Sequence, residues 1–246
     1  MKIAIVIAAY NEKENIEALT SRLIQTLDGM KIAWTLIYVI EGLDGSLALA
    51  RKFAAERPEI RILCNEAPSG LGRAFRLGFD AVPPDVDMVV TMDADLNHEP
   101  EEIPAMIEAA RSTGADIVVG SRRIDQSRVT GVPLWKTLTS AMVGVTMNVV
   151  LGVKIKDMSS GFRVYRAGQF RRIAYSNSDF AFLPEILVHA AAMGAVMIER
   201  PIHFTYRKAG TSKMALWKTS LSYLKLFRRY MLRRRAAQPS VSKGPW

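Results

Sequence analysis

Lys2-Ile3-Ala4-Ile5-Val6-Ile7-Ala8-Ala9 runs into Tyr10-Asn11-Glu12, and from there apolar residues recur at helical spacing over 12–27. A short apolar run rich in Ile that meets an amphipathic helix within a few residues is the opening unit of an α/β fold. Asn11 stands where an N-cap is expected, and Glu14 three residues later gives a capping-box spacing. The alternation continues outward. Residues 34–40, 61–64, 88–92 and 116–120 are short apolar runs, separated by helical patterns over 46–56, 71–81 and 100–112. Pro100 suits a first helical turn. Strands that are apolar throughout and separated by helices predict a mostly parallel, twisted sheet covered by helices on both faces. In such sheets ligands bind beyond the carboxyl ends of the strands.

The strand ends carry the chemistry. No glycine precedes Gly29, so the first turn holds neither GxGxxG nor GxxxxGK[ST], which argues against dinucleotide-binding and P-loop readings. The fourth strand ends in Thr91-Met92-Asp93-Ala94-Asp95-Leu96-Asn97-His98-Glu99-Pro100. Asp-x-Asp places two carboxylates on the same side of an extended chain. With the Asn97 amide oxygen they suit Mg²⁺ or Mn²⁺ that also binds substrate phosphates. The plainer alternative is that one aspartate caps the helix at Pro100. Glu41 and Asp44 close the second strand in Ile40-Glu41-Gly42-Leu43-Asp44-Gly45-Ser46. They read either as a turn whose aspartate caps the next helix or as acceptors for a nucleobase or ribose.

After Gly120 a basic loop with Arg122, Arg123 and Arg128 leads to an apolar stretch over 138–153, then a helix around 185–193 and a strand at 196–199. Neither 138–153 nor 214–232 reads as a membrane span, the first being short and interrupted by polar residues, the second holding Lys218, Lys225, Arg228 and Arg229. The 246 residues carry 33 Lys+Arg and 24 Asp+Glu. Twelve of the basic residues and none of the acidic ones lie from Arg200 onward, leaving 21 against 24 before it. Residues 214–235 read as an amphipathic helix, with Trp217, Leu221, Leu224 and Met231 on one stripe and Lys218, Lys225, Arg229 and Arg233 on another. Such a helix suits an anionic membrane surface, and 236–246 reads as a disordered tail. One cysteine, Cys64, and three histidines without paired spacing exclude a disulfide framework and a Cys- or His-rich metal site. The N-terminal run lacks the shape of a signal peptide, so a protein peripheral on the cytoplasmic face of a membrane is expected.

Taken together, these residues resemble family 2 glycosyltransferases of the GT-A fold, and among them the polyprenyl-phosphate sugar transferases of the dolichyl-phosphate mannosyltransferase type. The family's Pro-Thr-Tyr-Asn-Glu is here Ala8-Ala9-Tyr10-Asn11-Glu12, and its Asp-Ala-Asp-Leu-Gln-His is Asp93-Ala94-Asp95-Leu96-Asn97-His98. Its Gly-Ser-Arg is Gly120-Ser121-Arg122, its Asp-x-x-Ser-Gly-Phe runs from Asp157 to Phe162, and its Arg-x-x-Gly-x-Ser-Lys runs from Arg207 to Lys213. The resemblance implies a transferase domain over 1–213 in which Ala8, Tyr10, Glu12, Val39 and Glu41 line a nucleotide pocket. Asp93, Ala94, Asp95 and Asn97 would surround the metal and the diphosphate, and Arg207 and Lys213 would bind donor phosphates. Arg122, Lys136 and Ser140 would hold an acceptor phosphate. Where the family has two aspartates after the second strand, this chain has Ile40-Glu41, and Lys136 replaces an arginine, a point charge in place of a bidentate fork.

The implied reaction is an inverting, metal-dependent transfer of a sugar of mannose or glucose type from a nucleotide-sugar to a polyprenyl phosphate. A phosphate acceptor is largely dianionic at neutral pH, its second pKa being about 6, and needs no general base, whereas a sugar hydroxyl does. Glu185 is the carboxylate outside the metal site that would serve as that base; the alternative is a helix-start carboxylate favoured by the helix dipole. The resemblance leaves room for a membrane-protein partner. Two further readings stand beside it: a family 2 transferase acting on a sugar or lipid hydroxyl in cell-surface glycan synthesis, and a nucleic-acid-binding protein using the basic tail. The tail lacks a nucleic-acid motif, which disfavours the latter.

Overall fold

In β1 (Lys2–Tyr10) alternate side chains feed two different cores. Ile3, Ile5, Ile7 and Ala9 enter one, and Ala4 and Val6 enter the other. That is why the run is apolar throughout: both faces of the strand are covered. The computed structural model describes residues 1–65, 67–131 and 153–206. Helix α1 (Lys13–Gly29) lays Ile16, Leu19, Leu23 and Leu27 on the first core, a spacing of three and four that keeps them on one stripe. β2 (Ala33–Glu41), α2 (Ser46–Glu56) and β3 (Ile60–Asn65) follow, then α3 (Leu71–Asp80) on the second core. Gly78 lets α3 approach the sheet: a Cβ there would lie 2.5 Å from Val6 Cγ1 and 3.1 Å from Val39 Cγ2. β4 (Met88–Asp93) leads through a 3₁₀ turn (Pro100–Glu102) into α4 (Ile103–Thr113) and β5 (Ile117–Ser121). Pro100 thus opens a tight turn, and the α-helix proper begins at Ile103.

Beyond β5 come β6 (Arg128–Thr130), β7 (Arg163–Arg166), a single-turn α5 (Ala167–Phe170), α6 (Phe182–Ala192), β8 (Met197–Pro201) and β9 (His203–Thr205). The seven-stranded sheet has the order β3-β2-β1-β4-β7-β5-β8, and β6 and β9 pair separately in parallel. β7 runs antiparallel to both β4 and β5, whereas the remaining neighbours in the large sheet are parallel. The predicted mostly parallel sheet with helices on both faces is what forms. Strand order reverses between β1 and β4, because β2 and β3 build to one side and β4 to the other. A reversal of this kind opens a crevice at the carboxyl ends of the two strands.

The start of α1 departs from the capping box expected at Asn11 and Glu14. Asn11 takes the left-handed region with φ 52°, which asparagine tolerates, and the cap position falls on Glu12 without a side-chain cap. The amide groups are satisfied from another connection: Glu12 N–H donates to Ser46 Oγ at 3.0 Å and Lys13 N–H to Asp44 Oδ2 at 2.9 Å. Asp44 Oδ1 also accepts from Ser46 N and Oγ. Asp44 therefore ties together two helix starts. The Asn11 side chain in turn covers Gly42, where a Cβ would fall 2.0 Å from Asn11 Oδ1 and φ is 93°.

Candidate active site

Register brings the strand ends into line. Ala8 pairs with Val39 on one side and Asp93 on the other, and Tyr10 pairs with Glu41. Ala8, Tyr10, Glu12, Val39, Glu41, Asp93, Ala94, Asp95, Asn97 and Arg122 consequently gather along one edge of the sheet. Val39 is wholly buried, Ala94 nearly so, and the Tyr10 side chain is exposed. Glu41, buried at the end of β2, is engaged by Ser69, whose Oγ donates to Oε1 at 2.5 Å and whose N–H faces both carboxylate oxygens at 3.2 and 3.3 Å. Glu12 accepts from Asn15 Nδ2 at 2.6 Å. Lys136, Ser140, Arg207, Lys213 and the expected helix over 214–235 lie outside the described residues.

The segment after β4 turns sharply. Leu96, with φ 57°, sits in the left-handed region, and this reverses the chain so that Asn97 and His98 come back beside the aspartates. Such strain in a non-glycine residue costs on the order of 1–3 kcal/mol and persists where its surroundings hold it. Asp95 Oδ1 accepts from Asn97 N–H at 3.1 Å, and Oδ2 accepts from Asn97 Nδ2. Burial and the neighbouring Asp93 charge push the Asp95 carboxyl up to about 6. Asp93 moves the other way. Burial alone would raise it, but His98, at 3.4 Å from Oδ2, with Arg122 and Arg163 behind, holds it below the ordinary carboxylate range.

Two carboxylates of opposed tendency, one of them costly to ionise, form a site suited to a cation. The buried Asn97 Oδ1 has no hydrogen-bond partner among the described residues, and an orphaned acceptor beside two carboxylates is a ready oxygen ligand. No group of three or more His, Cys, Asp or Glu side chains converges among the described residues. The donor set fits an ion that takes few protein ligands and completes its shell with phosphate and water, as Mg²⁺ does.

Arg122, at the end of β5, is fixed by Asp157. Its Nε and Nη2 donate to the two Asp157 oxygens at 2.7 Å each, its backbone N–H to Oδ2 at 3.0 Å, and Nη2 also to Ser159 Oγ at 2.9 Å. The guanidinium lies over the Phe204 ring, 5.0 Å from its centre. Asp157 is fully buried, and its own N–H and that of Lys156 donate to Glu199. Residues 156–162 therefore form a rigid floor. Arg163 completes it from within β7: wholly buried, it donates to the carbonyls of Met158, Ser160 and Leu183, each at 2.8 Å. Asp157 stands in the sequence only as the first residue of the Asp-x-x-Ser-Gly-Phe motif, and Arg163 lies just beyond it. The available signal was an arginine inside the apolar run Phe162-Arg163-Val164-Tyr165, which a strand buries only if every N–H finds an acceptor.

Glu185 is not poised as a base. It is 1% exposed, and its carboxylate accepts from Ser176 N, Ser176 Oγ, Asn177 N and Asn177 Nδ2 at 2.7–3.0 Å. It clamps the loop that seats against α3, where Gly72 N–H donates to Ser178 O at 2.9 Å. Glu185→Gln keeps one oxygen for the three N–H donors and turns its amide toward the serine hydroxyl, which is able to accept. We expect that variant to keep most activity and its melting temperature. Glu185→Ala orphans several buried donors and should lose about 3 kcal/mol or more in chemical denaturation.

A mostly parallel sheet with one inserted antiparallel strand, no glycine phosphate loop, and an Asp-x-Asp at the switch point beside an anchored arginine defines a GT-A nucleotide-sugar transferase. Residues 4–174 match the family model for Glycosyl transferase family 2, and the chain belongs to that family: it is a glycosyltransferase. It is 32% identical over 219 residues to the undecaprenyl-phosphate mannosyltransferase of Micrococcus luteus, covering 87% of this chain and 88% of that protein. It is 31% identical over 217 residues to the polyprenol monophosphomannose synthase of Mycolicibacterium smegmatis, covering 86% of this chain and 80% of that protein. Among solved structures, it shares its fold with glucosyl-3-phosphoglycerate synthase from Mycobacterium tuberculosis. The TM-score is 0.67 at 16% identity, over 99% of this chain and 83% of that one, and that crystal holds Mn²⁺, UDP and glucosyl-3-phosphoglycerate.

Proposed function

We propose that the chain transfers a sugar of mannose or glucose type, with inversion, from a nucleotide-sugar to a polyprenyl phosphate at the cytoplasmic face of a membrane. The observation that carries this reading is the placement of Asp93, Asp95 and the Asn97 amide oxygen, which has no partner among the described residues, on the same sheet edge as Arg122 locked on Asp157. Anionic and cationic devices side by side are what two phosphate-bearing substrates require. The names of the two relatives support the lipid phosphate as acceptor.

Asp93, Asp95 and Asn97 would hold Mg²⁺ or Mn²⁺, which when bound offsets the charge that develops on the departing diphosphate. Ala8, Tyr10, Glu12, Val39 and Glu41 border the nucleotide pocket, with Ala94 beside the diphosphate. Arg207 and Lys213 bind the donor phosphates. Arg122 orients the acceptor phosphate, with Lys136 and Ser140, and its fixed guanidinium costs no reorganisation when charge shifts between the substrates. The acceptor oxygen attacks the anomeric carbon as an anion, so no protein base takes a proton. The burial of Glu185 under four hydrogen bonds agrees with this. Residues 214–235 would rest on anionic lipid, each basic residue near the surface adding about 1 kcal/mol. Among the described residues no helix is long and apolar enough to cross a membrane.

The test is transfer from GDP-mannose and UDP-glucose, with Mn²⁺ or Mg²⁺, to a polyprenyl phosphate and to the matching polyprenol in detergent. Labelled product is expected on the phosphate with one of the two donors, and none on the alcohol. Product on the alcohol or on a sugar hydroxyl alone would overturn the lipid-phosphate reading.

A further inference from the structure

His98 is buried to 1% exposure, with its ring enclosed by Phe162 and Phe204 at centroid distances of 5.5 and 5.2 Å. Its backbone is held on both sides. An isolated antiparallel bridge joins His98 to Phe204, and Thr205 N–H donates to Asn97 O at 3.1 Å. The imidazole Nε2 faces Asp93 Oδ2 at 3.4 Å, while the buried Nδ1 has no hydrogen-bond partner among the described residues. A hydrogen on Nδ1 would be buried without an acceptor, which favours the tautomer with the hydrogen on Nε2, the nitrogen 3.4 Å from the carboxylate.

Packing gives no reason for an imidazole here. A phenyl ring would fill the space between two phenylalanines and would bury no orphaned nitrogen, and each such nitrogen costs about 1–3 kcal/mol. The polar end of the ring meets Asp93, 3.4 Å away. The Asp93 carboxylate sits where only glycine leaves room: a Cβ on Gly161 would lie 2.6 Å from Oδ1 and 3.0 Å from Oδ2. Gly161 O is itself held by Thr91 Oγ1 at 2.7 Å. The carboxylate thus occupies the space that a side chain at residue 161 would need, and its Oδ2 also lies 3.4 Å from His98 Nε2.

We propose that His98 is a positioning residue for Asp93: its Nε2–H orients the carboxylate in the space that Gly161 leaves open, so that the remaining lone pairs point where the divalent cation and donor diphosphate meet. This rests on the reading of Asp93 as a metal ligand. A donor that orients a ligating group typically changes metal affinity about 10–100-fold when removed.

The experiment compares the wild-type chain with His98→Phe and His98→Gln. Mn²⁺ binding is read by titration calorimetry and by the electron spin resonance of free Mn²⁺, with UDP or GDP present, and thermal unfolding is read without metal. His98→Phe keeps the ring and removes the donor; His98→Gln keeps an N–H near the position of Nε2. We expect His98→Phe to bind Mn²⁺ about 10–100-fold more weakly, with a melting temperature equal to or above that of wild type. His98→Gln should recover most of the lost affinity. Wild-type affinity in His98→Phe would overturn the proposal. So would a loss of affinity matched by a large fall in melting temperature in both variants, the mark of a packing role alone. Absence of Mn²⁺ binding by wild type would instead remove the metal reading on which the proposal rests.

Discussion

Asp95→Asn should reduce sugar transfer by about 10³-fold or more while leaving the metal-free protein at least as stable as wild type at pH 7. On the proposal that Asp93 and Asp95 hold a divalent ion, the loss follows from removing one of two carboxylate ligands, an ion there being able to offset several kcal/mol of charge in the transition state. The stability follows from the sign of the Asp95 shift. Its carboxyl is pushed up to about 6 by burial and by Asp93, so the folded chain binds that proton more tightly than the unfolded chain does. Stability from this group therefore falls as pH rises through about 4 to 6, and at pH 7 the ionised carboxylate is a cost. A neutral amide removes that cost. The Asn97 amide, turned over, would offer its oxygen to the new N–H donors. Steady-state transfer assays and thermal unfolding without divalent ions check both halves, and a variant of near wild-type activity would remove Asp95 from the site.

Asp157→Ala should be the most destabilising change among the site's supporting residues, by about 3–5 kcal/mol, because it leaves the Arg122 side chain and backbone N–H facing a buried gap. At this chain length that corresponds to a fall of roughly 10 °C in melting temperature. Burial alone would raise the Asp157 carboxyl, but the charge and hydrogen bonds of Arg122, with Arg123 beyond, hold it far below the ordinary range. A depressed acid contributes stability above its unfolded pKa, about 4, and loses it as pH falls through the folded value. The difference between wild type and variant should therefore be full at pH 6–7 and narrow progressively as pH falls below about 4. Parallel curves down to pH 3 would show that the pair contributes nothing through charge. In the same variant the KM for a polyprenyl phosphate should rise while nucleotide binding, measured by calorimetry, is retained.

Much of the fold was legible because it depends on local periodicity. The strand over 2–9 and the helical pattern over 12–27 can be read without knowing what they touch, and both form, as Lys2–Tyr10 and Lys13–Gly29. The helix over 185–193 begins three residues earlier, at Phe182. The same locality made Asp93-Ala94-Asp95 visible at a strand end. The antiparallel β7 was not legible, since Phe162–Arg166 has the composition of any buried strand and direction is set by where its neighbours run.

The amino-acid sequence by itself determined the α/β alternation, the absence of a glycine phosphate loop, and the acidic strand end opposite Ala8. Tertiary structure decided which polar groups meet. Asp44 caps α1 from 31 residues away, Glu185 clamps a loop where a general base was conceivable, Asp157 locks Arg122, and His98 brings Nε2 to 3.4 Å from Asp93. Hydrophobic burial leaves a periodic trace in the chain because it acts along each element. A buried hydrogen bond leaves none, because its partner comes from wherever the fold delivers an acceptor within about 3 Å.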